Sequence, residues 1–222
     1  MAWGPVRSGR SLDRLINFSD AVVAVAITLL ALQLVDIAGP QEGQTMWDVL
    51  SANWGQIQTF VLTFLVVAVM WSVHNRIVNH LIAYDSAIFW LIMLWLLGFV
   101  FLPWPSRLYE STPFTSDLAR SGELVGPAMM YWLTLAYISF IGAATARHMT
   151  RHPELIAPQD RPYWEAMQRS RARWRGSAYT SVFILAAIAS YFLFYLGNYV
   201  LLLLIPISLI LKPPAITEPD PQ

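Results

Sequence analysis

The chain has 222 residues, of which 56% are hydrophobic and 13% charged, and it has no cysteine. Soluble domains of this size carry roughly 25% charge, so the deficit points to an integral membrane protein. The formal net charge of zero removes the basic excess of a nucleic-acid binder, and the lack of cysteine excludes disulfides, thiolate metal sites and thiol nucleophiles.

The apolar runs are too long for strands of a membrane barrel and do not alternate, so they are read as helices. The N-terminal residues 1–11 contain Gly, Pro and two arginines, Arg7 and Arg10, with Arg14 just beyond. A basic start before an apolar run resembles a signal peptide. No small-x-small cleavage pattern follows, however, and Thr28, Gln33 and Asp36 interrupt the later part, so this is read as an uncleaved first span. Ser11 is the expected N-cap, with Asp13 favoured by the dipole of the first turn. The helix 12–35 would reach roughly 36 Å at 1.5 Å per residue, enough to cross a bilayer.

Asp36 to Asp48, with Gly39-Pro40 and Gly43, reads as a loop. A second span, 53–81, ends in the polar cluster Trp71, His74, Asn75 and Arg76. A third, 86–102, is expected to stop at Pro103 and Pro105, followed by a polar loop over 105–123. The fourth, 124–146, tolerates Pro127 in its first turn. The one long polar segment, 147–175, ends in a basic run. Residues 178–211 would form a single helix of roughly 51 Å, longer than the roughly 30 Å hydrocarbon core. They are therefore divided into spans 177–196 and 199–211, turning at Gly197-Asn198. The Pro-rich tail 213–222 reads as disordered.

The expected fold is thus an all-α membrane protein with six transmembrane helices in one channel-sized unit, 12–212. With this count, all but two of the 14 Lys and Arg residues fall on one side; the two exceptions are Arg107 and Arg120. The positive-inside rule places both termini in the cytoplasm of a multi-pass cell-membrane protein.

On the first helix Val25, Thr28, Leu29 and Leu32 form one stripe at helical spacing, beside small residues Ala24 and Ala31 that allow close packing. Plain helix packing within one subunit is the commonest source of such a stripe. Asp20 and Arg14 lie about 120° apart on the helix and make a poor direct pair. The cluster at Trp71, His74, Asn75 and Arg76 lies at the same membrane edge and offers partners. His148 and His152 have the spacing of a metal pair, but no HExxH or carboxylate partner completes a site. Trp47, Trp54, Trp104, Trp164 and Trp174 sit near span edges as anchors. No GxSxG, phosphate loop or intramembrane carboxylate pair appears, so an enzyme is not expected and no cofactor is implied.

The stretch Arg14-x-x-x-Phe18-Ser19-Asp20, followed by an aliphatic run, resembles the prokaryotic relatives of the lysosomal potassium channel, the transmembrane protein 175 family. Trp71-x-x-His74-Asn75, Tyr84-Asp85 and Leu102-Pro103 extend the resemblance over roughly the first hundred residues. The resemblance implies six spans and a homotetramer in the lipid bilayer, with a central pore lined by the first helix. It implies passive conduction of K+, with other monovalent cations or protons as further permeants. It also implies constriction rings at Val25, Leu29 and Leu32, a selectivity layer at Thr28, and a hydrogen-bond network of Arg14, Phe18, Ser19, Asp20, Trp71, His74 and Asn75. Family members usually carry isoleucine or leucine where this chain has Val25, a methylene shorter. The TVGYG filter of ordinary potassium channels is absent. A secondary transporter, recognised by repeats and broken helices, and a membrane scaffold acting through 147–175 are the competing readings.

Overall fold

A computed structural model describes residues 6–110, 125–192 and 196–212. Expectations that fall on residues 1–5, the 111–124 part of the polar loop and the tail from 213 lie outside the described residues. The structure is built from helices. In chain order these are α1 (Arg10–Val35), α2 (Met46–Ala52), α3 (Trp54–Val78), α4 (Ser86–Phe101), α5 (Pro103–Glu110), α6 (Val125–Arg151), α7 (Arg161–Arg169), α8 (Arg175–Phe192), α9 (Leu196–Val200) and α10 (Leu204–Ile210). Among the described residues, four runs are long and apolar enough to cross a membrane: Arg10–Val35, Trp54–Val78, Ser86–Glu110 and Gly126–Arg151.

The start of α1 differs from the expected Ser11 cap. A short strand β1 (Arg7–Ser8) pairs antiparallel with β2 (Ala83–Tyr84), and Gly9 then turns the chain into the helix with φ 59° and ψ −134°. This backbone geometry is open to glycine because it has no Cβ. The helix therefore begins at Arg10, and the Ser11 hydroxyl instead bonds the Tyr84 hydroxyl at 2.9 Å. Arg7 and Ser8 are thereby pinned to the loop between α3 and α4. Thr45 and Asp48 form a reciprocal capping box, which starts α2 inside the region read as loop.

The third span does not stop at Pro103. Leu102 breaks the regular pattern for one residue, and the helical path resumes as α5, with Ser106 N donating to Leu102 O at 3.1 Å. Both prolines sit in the first turn of α5, where a missing N–H removes no intrahelical bond. The first-turn tolerance expected of Pro127 applies to these two prolines as well.

The core lies between α4 and α6. Ile88, Ile92 and Phe99 of α4, and Ala128, Tyr131, Trp132, Leu135 and Ile138 of α6, have no exposed surface. One polar knot sits inside it: Thr63 of α3 bonds the Tyr131 hydroxyl at 2.9 Å and donates to Thr59 O at 2.7 Å. These buried hydroxyls are tolerated because they are paired.

Beyond α6, the polar segment folds onto the α3–α4 loop and is more than a tether. Ile82 N donates to Leu155 O and Ala157 N to His80 O, both at 3.0 Å. His80 Nδ1 lies 2.8 Å from Asp160 Oδ2, and Trp164 is buried against the His80 ring. After α8, Gly197 and Asn198 do not form the expected turn; both lie within α9. Glycine is required there for close approach. A Cβ on Gly197 would meet Ser190 Oγ and would come within 2.6 Å of Trp132 Nε1.

Candidate functional site

Helix α1 has two distinct faces. Leu12, Leu15, Ser19, Val23, Ala26, Leu30 and Gln33, spaced three or four apart, are buried against the rest of the chain. The opposite face is open: Val25 is 57% exposed, Leu32 56% and Leu29 40%, whereas Leu30 between them is 1% exposed. The stripe singled out from the sequence therefore lies on the face its own subunit leaves uncovered. Packing within one subunit does not account for it. Thr28 is exposed on the same face, and its Oγ1–H donates to Val25 O at 2.7 Å. With its proton committed to the backbone, the hydroxyl keeps both lone pairs free to act as an acceptor.

The rotation of α1 is set at the end where its polar residues lie. Trp71 Nε1–H of α3 donates to Asp20 Oδ1 at 2.9 Å, a charge-assisted bond of the stronger kind. Ser19 is 2% exposed and donates to Ile16 O at 2.8 Å, so its hydroxyl is satisfied within α1. His74 is buried and stacks on Trp95, with ring centroids 3.8 Å apart and planes 12° from parallel. Neither ring nitrogen has a hydrogen-bond partner. Among the described residues, no hydrogen bond joins Arg14, Phe18 or Asn75 to another side chain; Arg14 and Phe18 are exposed and Asn75 is half-buried. Within one subunit, the seven residues grouped from the sequence are thus linked by a single side-chain hydrogen bond, Trp71 to Asp20. His74 contributes ring stacking.

The opposite end of α1 carries anchors the sequence reading passed over. Gln33 is 3% exposed. Its Nε2 donates to Pro103 O at 3.2 Å, and its backbone carbonyl accepts from Gln56 Nε2 at 2.6 Å. Asp36 pairs with Arg107 at 2.6 Å in an exposed bridge. A signal for Gln33 was present: it falls in register with Ser19, Val23, Ala26 and Leu30, the face that turns inward.

At the α3–α4 corner Asp85 caps α4, accepting from Ile88 N at 2.8 Å, and its other oxygen lies 2.9 Å from His148 Nε2. Burial alone would raise this carboxyl. The Ile88 N–H and His148 outweigh it and hold the group below the usual carboxylate range. His148 and His152 stack 4.4 Å apart, and each faces a carboxylate: Asp85 for the first, Glu154 for the second. Among the described residues no three metal-ligating side chains come together.

Residues 14–103, the stretch that builds α1, α3 and α4, match the family described as endosomal/lysosomal potassium channel TMEM175. A potassium channel of Streptomyces collinus is 30% identical over 148 residues, covering 66% of this chain and 68% of the relative. A potassium channel of Chamaesiphon minutus is 35% identical over 99 residues, covering 43% of this chain and 47% of the relative. The human endosomal/lysosomal proton channel TMEM175 is 23% identical over 147 residues, covering 66% of this chain and 27% of that protein. Among solved structures, the crystal structure of a lysosomal potassium-selective channel TMEM175 homologue from Chamaesiphon minutus has the same fold. The TM-score is 0.70 at 23% identity, over 92% of this chain and 100% of that one. With its outward apolar stripe, its Asp20–Trp71 anchor and this likeness, the chain belongs to the TMEM175 potassium-channel family, a family of ion channels and not of enzymes.

Proposed function

We propose that this protein is a potassium-preferring cation channel that conducts passively through a fourfold pore lined by α1. Six spans per subunit, the last two formed by α8 and by α9 with α10, make up the channel unit 12–212, and both termini face the cytoplasm. The observation that carries the reading is the open stripe Val25, Thr28, Leu29 and Leu32 on a helix whose other face is buried. An assembly with closed cyclic symmetry lets one helix per subunit surround an axis. Val25, Leu29 and Leu32 then form apolar rings that gate by dewetting, and the Thr28 hydroxyls form an acceptor layer between them. The Arg14 and Asn75 side chains, which meet no hydrogen-bond partner among the described residues of their own subunit, are available to a neighbouring subunit. The basic end, with Arg147, Arg151 and the run from Arg169 to Arg175, supports a cytoplasmic placement.

The test is single-channel recording in planar bilayers. Val25→Ala widens the narrowest ring, so unitary conductance rises and the preference for K+ over Na+ falls. Unchanged currents would remove Val25 from the pore. Saturable, ion-coupled flux with no unitary currents would replace the channel by a transporter.

A further inference from the structure

A groove of about 370 Å³ runs between the start of α4 and the end of α6. Ala87, Leu91 and Ala144 form its floor, and Trp90 and Leu94, which are 63% and 40% exposed, form its wall. Arg147 and Arg151, one helical turn apart, stand at its mouth. Both are exposed, and neither meets a carboxylate among the described residues. His148, between them in sequence, is turned to Asp85. The α6 C-terminus favours cations through its dipole, which explains basic residues there but not an apolar trough beneath them.

We infer that this groove seats an anionic phospholipid, with its headgroup phosphate held by Arg147 and Arg151 and one acyl chain lying along Trp90 and Leu94. Charge complementarity selects the headgroup, because a guanidinium pair matches a phosphate by bidentate hydrogen bonding. Basic pockets between membrane helices are suited to acidic headgroups, and the ring of Trp90 suits the level of the headgroups. A free phosphate would leave the trough unfilled, whereas a phospholipid uses both parts of the site. The site is separate from α1 and does not rest on the pore reading.

The experiment is native mass spectrometry of the full chain in an uncharged detergent, titrated with dioleoylphosphatidylglycerol, dioleoylphosphatidylcholine or inorganic phosphate. Phosphatidylglycerol is retained on the order of tenfold more tightly than phosphatidylcholine, in line with the attraction of two arginines near a surface charge. Inorganic phosphate neither binds nor competes. Arg147→Gln with Arg151→Gln abolishes the preference, and the paired lysine variant keeps part of it. Ala144→Phe fills the trough while leaving both charges, and it lowers retention as well. Equal retention of the two lipids would overturn the proposal, as would a preference that survives the glutamine pair, full competition by phosphate, or indifference to Ala144→Phe. A photocrosslinker placed at Leu94 separates the remaining occupant: adducts to lipid support the site, and adducts to a second copy overturn it.

Discussion

Of the helices that expose apolar surface, α1 and α4 carry faces that differ in kind. Between Ala21 and Leu32 the open surface of α1 is Ala21, Ala24, Val25, Thr28, Leu29, Ala31 and Leu32; on α4 it is Trp90, Leu94, Leu97, Val100 and Phe101. The first is small and stepped, with one hydroxyl, and lets another backbone come close. The second is bulky and aromatic, filling space that hydrocarbon tails also fill, with its tryptophan at the membrane edge. Apolarity alone places both in the membrane. Side-chain size separates the face suited to protein neighbours from the face suited to lipid.

The largest effect tests whether either face is core at all. Phe99→Ala, at a fully buried position, costs about 3–5 kcal/mol of stability in a denaturant titration in detergent. Leu97→Ala, two residues away on the open side of α4, is expected to change it by under about 0.5 kcal/mol. Equal losses would erase the distinction between inside and outside on α4.

A second test turns α1. Trp71→Phe removes the N–H that holds Asp20, a bond to a charged group worth about 1.5–3 kcal/mol. It also frees the orientation of the open stripe. The result is read as lower melting temperature together with altered labelling of Val25→Cys by a thiol reagent, a clean reporter because the chain has no cysteine. Labelling identical to that of the parent would show that something else sets the rotation.

The size argument is broken or sharpened by moving bulk from one face to the other. In the proposed assembly, Ala24→Phe overfills a close helix contact at about 1–3 kcal/mol and lowers the oligomer fraction in crosslinking. Leu97→Phe leaves that fraction unchanged. If both behave alike, residue size does not separate the two faces.

The smallest effect leaves both faces intact and loosens the corner that starts α4. Asp85→Asn retains a capping oxygen but loses the charge facing His148, a cost of about 1 kcal/mol at neutral pH. The folded carboxyl is held below its unfolded value. Its contribution is therefore complete above the ordinary carboxylate pKa near 3.9 and is lost as pH falls through the folded value. Melting temperatures of parent and variant should converge on acidification. A gap that widens instead would mean that Asp85 is not stabilised as the carboxylate.

Much of the first hundred residues was legible in the amino-acid chain. The stripe from Val25 to Leu32 follows from periodicity, and the partner of Asp20 was sought in the right cluster because Arg14 lies on the wrong side of the helix. His74 was less legible. A histidine at a membrane edge reads as a hydrogen-bonding group, yet it stacks on Trp95, twenty-one residues away on another helix. Pro103 and Pro105 were read by their power to end helices, although their position in a first turn makes them compatible with one. Gly197 carried a turn signal but serves close packing on Ser190 and Trp132. The segment after α6 was read from its polarity, which hid the backbone bonds from Ile82 and Ala157 that fasten it.

Composition and hydropathy by themselves determined that this chain is helical and membrane-embedded, because unpaired backbone groups are too costly in hydrocarbon for other open structures. Periodicity determined that α1 carries a stripe. Only the tertiary structure decided which way that stripe points, because an apolar side chain pays no penalty for facing lipid, a neighbouring helix or its own core. That choice comes from contacts between segments distant in sequence, such as Trp71 with Asp20 and Gln33 with Pro103.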